Sequence, residues 1–239
     1  MCRALAKKGV NVYFTSHEAY DSSIGGFGIN DYEKTLNECR ALGVSTHFKP
    51  FDLSIKANVC DLFDDAIAKL GQIDVLINCL CYHQFDSIDS IEDTLFASNI
   101  QVNCNAVFYL CQEFFRRYNG NNGRIISLSS TQNLEPLTSE ISYAISKSAV
   151  PVIVYTLAPI MAKKGITINA VNPGATDIGD VKDRNINDYR DSNQFGRLGT
   201  PADAANLISF LISEDGKWIT GQTINSEGAI FRGLVAPNN

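Results

Sequence analysis

The sequence is poor in the residues that build metal centres, disulfide frameworks and membrane spans. Its seven cysteines are scattered and odd in number, which excludes a disulfide framework. No two show Cys-x-x-Cys spacing, and Cys79-x-Cys81 has no second pair, so no zinc site is expected. Reduced thiols in a cytoplasmic protein are the expectation that follows. The three histidines, His17, His47 and His83, have no partner spacing for a metal or a nucleophile triad and read as ordinary loop residues. Basic residues never cluster beyond Lys7-Lys8, Arg116-Arg117 and Lys163-Lys164, and the formal charge is −6. That balance excludes a nucleic-acid surface. The most apolar stretch, Ala149 to Ala162, is short and broken by Pro151 and Pro159. Neither a membrane span nor a signal peptide is expected.

What is present is an alternation. Val10–Phe14, Val44–Phe51, Ile73–Ile77, Ile125–Leu128, Ile166–Val171 and Gly221–Asn225 read as strands. Between them, helical spacing covers Asp31–Leu42, Ile55–Leu70, Ile91–Tyr118 (one long helix or two abutting) and Pro201–Ser213. Glycines at 9, 43 and 71 close helices, and proline opens the one at 201. Strand-helix alternation over 239 residues predicts one domain, a Rossmann-like α/β doubly wound parallel sheet.

The stretch from Ser127 to Lys147 carries the chemistry. Tyr143 and Lys147 stand four residues apart, on one face of a helix and one turn from each other. Thr138 or Ser139 can cap that helix, and Glu140 suits its first turn. Ser130 follows the Ile125 strand, at the sheet end where open α/β folds place ligands. A phenol titrates near 10, and an adjacent ammonium favours its ionised form. Such a phenol can exchange a proton with an alcohol or carbonyl oxygen. A serine hydroxyl can hold the same oxygen.

With those residues quoted, the chain resembles the short-chain dehydrogenases/reductases over nearly its whole length, most of all 3-oxoacyl-(acyl-carrier-protein) reductase-type members. The matching elements are Asp52-Leu53-Ser54, Asn78, Val102-Asn103, Ser130 with Tyr143 and Lys147, Asn172-Pro173-Gly174, Gly196 to Pro201 and Ile219 to Gln222. The resemblance implies hydride transfer between NAD(P)H and a ketone or secondary alcohol. It implies Tyr143 as general acid/base, Lys147 as the group that lowers its pKa, Ser130 as the carbonyl's hydrogen-bond donor and Asn103 as holder of a relay water. It also implies a cofactor lying against Thr15, Ser16, His17, Asp52, Leu53, Asn78, Tyr143, Lys147, Pro173, Gly174 and Thr176. None of Thr15, Ser16 or His17 is acidic, which favours NADP over NAD. A substrate lid is expected over about 177–195, and a homodimer or homotetramer as the assembly.

Several features depart from the family pattern. The opening strand and Thr-Gly-x-x-x-Gly-x-Gly turn are missing, and Gly25-Gly26-Phe27-Gly28 follows no apolar strand. In strand order 3-2-1-4-5-6 the missing strand is central. The expectation is therefore either a native chain beginning roughly twenty residues earlier or a non-standard sheet in which the Val10 and Ile73 strands close the gap. Cys81 stands where the family has glycine. Pro151 and Pro159 are expected inside the Lys147 helix, kinking it and weakening the case for a tetramer. These departures leave a second expectation open, a family relic that binds or scaffolds without turnover.

Overall fold

The computed structural model describes residues 1–17, 20–21, 31–134, 136–178 and 193–229. Elements follow the order α1 (Cys2–Ala6), β1 (Val12–Phe14), α2 (Asp31–Ala41), β2 (Thr46–Phe48), α3 (Lys56–Leu70), β3 (Val75–Asn78) and α4 (Asp93–Ile100). A π-helix, Gln101–Ala106, joins α4 to α5 (Val107–Arg117). Next come β4 (Gly123–Leu128), a 3₁₀ turn (Thr131–Asn133), α6 (Ile141–Lys147), α7 (Ala149–Ala162), β5 (Ile166–Asn172), α8 (Pro201–Leu211) and β6 (Thr223–Asn225). Every strand pairing is parallel, as strand-helix alternation requires.

The centre of the sheet is dry because helices cover both faces. All of β5 and nearly all of β4 are buried, including the polar side chains of Ser127, Thr167, Asn169 and Asn172, as expected for strands covered on both faces. On one face, Ile125 and Ile168 pack with Phe114, Val154 and Met161. On the other, Ile126 and Val171 meet Ile208 and Leu211. The spacing of Val107, Leu110, Cys111 and Phe114 lines one stripe of α5 against the first core. Each large apolar side chain so placed contributes about 1.5–3 kcal/mol. Thr200 and Asp203 form a reciprocal capping box at the start of α8, with Pro201 in the first turn.

The sheet is divided. β1 and β2 form one pair, and β3-β4-β5-β6 form a separate four-stranded ladder. No ladder joins β1 to β3, so the two strands do not close the gap. The exposure pattern agrees: Val75, Leu76 and Ile77 are only half-buried, as are Tyr13 and Phe14. α1 packs against β1, α2 and α8 and ties the halves together.

Two helix expectations are corrected. Pro151 does not interrupt the helix bearing Lys147, because α6 ends at Lys147 and α7 begins at Ala149. Pro151 thus falls in the first turn of α7, where a missing N–H costs little. Pro159 does lie inside α7. Residues Ile141–Ala162 are long and apolar enough to cross a bilayer by composition. They form instead α6 and α7, and one face of α7 joins the core: Val150, Val154, Ala158 and Met161 are buried and α7 packs on β5.

Candidate active site

Tyr143, Lys147 and Ser130 come together at the carboxyl ends of β3 and β4. Ser130 leaves β4 in extended backbone, and its hydroxyl stands beside that of Tyr143. The Cys81 side chain lies beside the same phenol. Lys147 is buried, and its Nζ donates to the carbonyl of Leu128 at 3.0 Å and of Leu80 at 3.4 Å. Nζ stands 6.0 Å from the centre of the Tyr143 ring. The ammonium is thus satisfied by the ends of two strands.

The electrostatics invert one expectation. Burial first, then the neighbouring Cys81 and Glu140, push the Tyr143 phenol above its ordinary value of 10, with the Ser130 hydrogen bond pulling the other way. Desolvation disfavours the anion, and the lysine is engaged with carbonyls instead of the phenol.

Asn103 sits in the π-helix, where the extra residue per turn re-aims it toward the loop after β3. Its Oδ1 accepts from the Tyr82 N–H and its Nδ2 donates to the Tyr82 carbonyl, both at 2.8 Å. Nδ2 also reaches Ser146 Oγ at 3.0 Å, and Ser146 donates to the Tyr143 carbonyl. Asn103 therefore clamps the backbone beside Cys81, and a relay through its amide would need these bonds exchanged.

The start of α6 is fixed from afar. Its N-cap residue, Glu140, makes no side-chain cap bond. Neither Thr138 nor Ser139 caps it. The carboxylate of Asp86 accepts from Ile141 N at 2.5 Å and from Ser142 N at 2.9 Å. His83 meets the Tyr143 ring edge-on at 5.1 Å and lies 3.3 Å from the Glu140 carboxylate. It is a site neighbour and not an ordinary loop histidine. Asp86, Ser146 and His83 carried no sequence signal, since each is placed by tertiary packing.

The expected cofactor residues divide into two groups. At the ends of β1 and β2, His17 approaches Asp52 at 3.8 Å, and the Thr15 hydroxyl is buried without a partner among the described residues. Asp52 Oδ1 closes a turn on Ser54 N and Oγ rather than capping α3, whose N-cap is Ile55. Ser16 links the same two strand ends, its carbonyl accepting from Phe51 N, and Leu53 leans on the core. Beyond β5, Asn172 Oδ1 accepts from Gly174 N, and Thr176 Oγ1 donates to the carbonyls of Pro173 and Gly174. Gly174 has φ +66°, and a Cβ there would meet Glu227 Cβ at 2.5 Å, so this turn demands glycine.

Asn78 is buried at the end of β3, and its side chain donates to Ser127 Oγ at 3.0 Å. Its Oδ1 has no partner. Glu18 and most of the expected lid, 179–192, lie outside the described residues. Donors and acceptors for ribose hydroxyls are thus present at both ends of the site: Thr15, His17 and Asp52 at one, Tyr143 and Lys147 at the other. They fit a nicotinamide dinucleotide, and no glycine-rich phosphate turn occurs among the described residues.

Comparison with known proteins agrees with this geometry. The family described as "Enoyl-(Acyl carrier protein) reductase" matches residues 1–228. An uncharacterized oxidoreductase, YjdA, of Bacillus subtilis is 36% identical over 236 residues, covering 98% of this chain and 91% of that protein. A short-chain type dehydrogenase/reductase of Picea abies is 30% identical over 233 residues, covering 94% of this chain and 84% of its own. The crystal structure of a blue fluorescent protein from a metagenomic library, in complex with NADPH, superposes with a TM-score of 0.85 at 26% identity, covering 95% of this chain and 90% of that one. With parallel strands, a serine, tyrosine and lysine at their carboxyl ends and matches over nearly its full length, the chain belongs to the short-chain dehydrogenase/reductase family of NAD(P)-dependent oxidoreductases.

Proposed function

We propose that this oxidoreductase interconverts a ketone and a secondary alcohol, with Tyr143 as the proton donor and acceptor. The observation that carries the reading is the shared placement of Ser130, Cys81 and Lys147 around one phenol. When bound, a nicotinamide cofactor supplies or accepts the hydride. Ser130 donates a hydrogen bond to the substrate carbonyl oxygen. Tyr143, kept protonated by burial, gives its proton to that oxygen as charge develops there. Lys147 supplies a fixed positive charge within one turn. Asn103 holds the loop that carries Cys81.

Thr15, Ser16, His17, Asp52 and Leu53 would border the adenosine half of the cofactor. Tyr143, Lys147, Pro173, Gly174 and Thr176 would border the nicotinamide half, and Asn78 only through its backbone. The absence of an acidic side chain at 15–17 favours NADP, and the metagenomic relative was solved with NADPH. A lid over about 177–195 would close on the substrate. Exposed Val152, Tyr155 and Ile160 on α7 support a second copy packing there as a homodimer or homotetramer. Seven free cysteines support a cytoplasmic setting.

The test is titration with NADPH and NADH, followed by nicotinamide emission, then assay against a panel of small ketones. Trp218 is 94% exposed, so its fluorescence is a poor reporter of the site. Binding with ketone reduction, abolished by Tyr143→Phe, is the expected result. Turnover undiminished in Tyr143→Phe would overturn the assignment.

A further inference from the structure

We infer that Asp86 is a positioning residue for the reaction, holding the helix that presents Tyr143 and Lys147. The inference rests on the reading of those two side chains as the acting groups. α6 has only seven residues and its far end runs through Ser148 into α7, which packs on β5, so its first turn is the end that the loops must place. The first N–H groups of a helix have no partner within it. Here the local chain leaves them unmet, because Glu140 gives no side-chain cap bond.

Asp86 meets them from 55 residues away. Its two carboxylate oxygens take the N–H groups of Ile141 and Ser142, at 2.5 and 2.9 Å. Its own N–H donates to the Ser139 carbonyl at 2.9 Å. These three bonds lock the loop after β3 to the entry of α6. Asp86 is buried, so water does not compete for the carboxylate. A negative charge at this end also suits the helix dipole.

The same loop touches the phenol itself. Between β3 and Asp86 lie Cys81, which sits beside the Tyr143 phenol, and His83, whose ring meets that of Tyr143. Tyr82 between them is clamped by Asn103. The loop is therefore held at Tyr82 and at Asp86, and the tyrosine ring lies against the span between. Releasing the Asp86 end frees the helix start and the loop together. The hydroxyl then wanders from Ser130, and misplacement by an ångström costs about 100-fold in rate. Nothing in the Asp86 contacts touches the β1 and β2 ends, where the adenosine half would sit.

The experiment compares wild type, Asp86→Asn and Asp86→Ala by steady-state kinetics and by hydrogen exchange of peptides covering 141–147 and 166–172. Asparagine keeps one acceptor and alanine keeps none. The expected result is kcat reduced by about 10–100-fold in Asp86→Ala and less in Asp86→Asn. KM for NADPH should stay within about twofold, and exchange should rise in 141–147 but not in 166–172. A kcat for Asp86→Ala within twofold of wild type would overturn the inference. So would exchange rising equally in both peptides, which marks general loss of the fold. If wild type reduces none of the ketones, the functional reading fails by itself. The exchange arm still decides the clamp, and unchanged protection of 141–147 in Asp86→Ala would overturn it.

Discussion

Lys147 donates to the carbonyl of Leu128 at 3.0 Å, so the cation beside the tyrosine is anchored to the end of β4 rather than to the phenol. Burial, Cys81 and Glu140 then set the protonation of Tyr143. A phenol held above 10 is a proton donor throughout neutral pH. Ketone reduction should be nearly flat from about pH 6 to about pH 9, while alcohol oxidation, which needs the ionised form, should climb with pH across the same range. Tyr143→Phe should lower both by on the order of 10²–10⁴-fold. Initial rates in each direction against pH check this, and an oxidation rate that levels off below neutrality would contradict it.

Cys81 is one of the groups pushing that phenol up. Cys81→Gly removes the thiol beside the phenol. The oxidation profile should move toward lower pH, and NADPH should bind more tightly where the thiol no longer fills space. Iodoacetamide should inactivate the wild type but not the glycine variant. Profiles that superimpose would show that Cys81 has no hold on the tyrosine.

Asn103 makes two bonds to the Tyr82 backbone. In Asn103→Ala those buried groups lose their partner, at a cost of about 1–3 kcal/mol each before relaxation. Denaturant unfolding should show a lower midpoint with an unchanged slope, and kcat should fall as the loop loosens. A midpoint equal to wild type would mean water replaces the amide.

Arg124 is buried, and its Nε and Nη2 have no hydrogen-bond partner among the described residues. Its charge partner Glu214 is 3.8 Å away and 66% exposed. A buried guanidinium so poorly met costs more than a well-packed apolar side chain. Arg124→Met is expected to be neutral or stabilising by about 1–4 kcal/mol, read from urea unfolding. Marked destabilisation would show that the arginine is better satisfied than its contacts indicate.

Asp86 also gives a pH signature. Burial pushes its carboxyl up, but the hydrogen bonds from Ser142 and Ile141 outweigh this and hold it below the ordinary value of an aspartate. A depressed carboxyl contributes stability above that value and loses it as pH falls through the lowered one. The melting-temperature difference between wild type and Asp86→Ala should be constant from neutrality to about pH 5 and shrink below about pH 4. A difference that grows on acidification would mean the carboxyl is raised instead.

Much of this enzyme was determined by the sequence alone. The alternation of apolar runs with helical spacing set the parallel α/β fold, and proline at 201 marked the opening of α8. The four-residue interval from Tyr143 to Lys147 put both on one face of α6, because helix period is a local property. The sequence left the division of the sheet as one of two alternatives, because the strand order implied by the resemblance puts a missing strand between β1 and β3. What only the tertiary structure decided are the partners. The cap of α6 comes from Asp86 and not from Thr138 or Ser139, because a carboxylate on a distant loop can reach amides that the adjacent chain turns away from. The π-helix at Asn103 and the buried side chain of Asn78 likewise depend on what packs beside them. The tyrosine's protonation follows burial and contacts with Cys81 and Glu140. Desolvation and hydrogen bonding depend on neighbours in space, and spacing along the chain does not encode them.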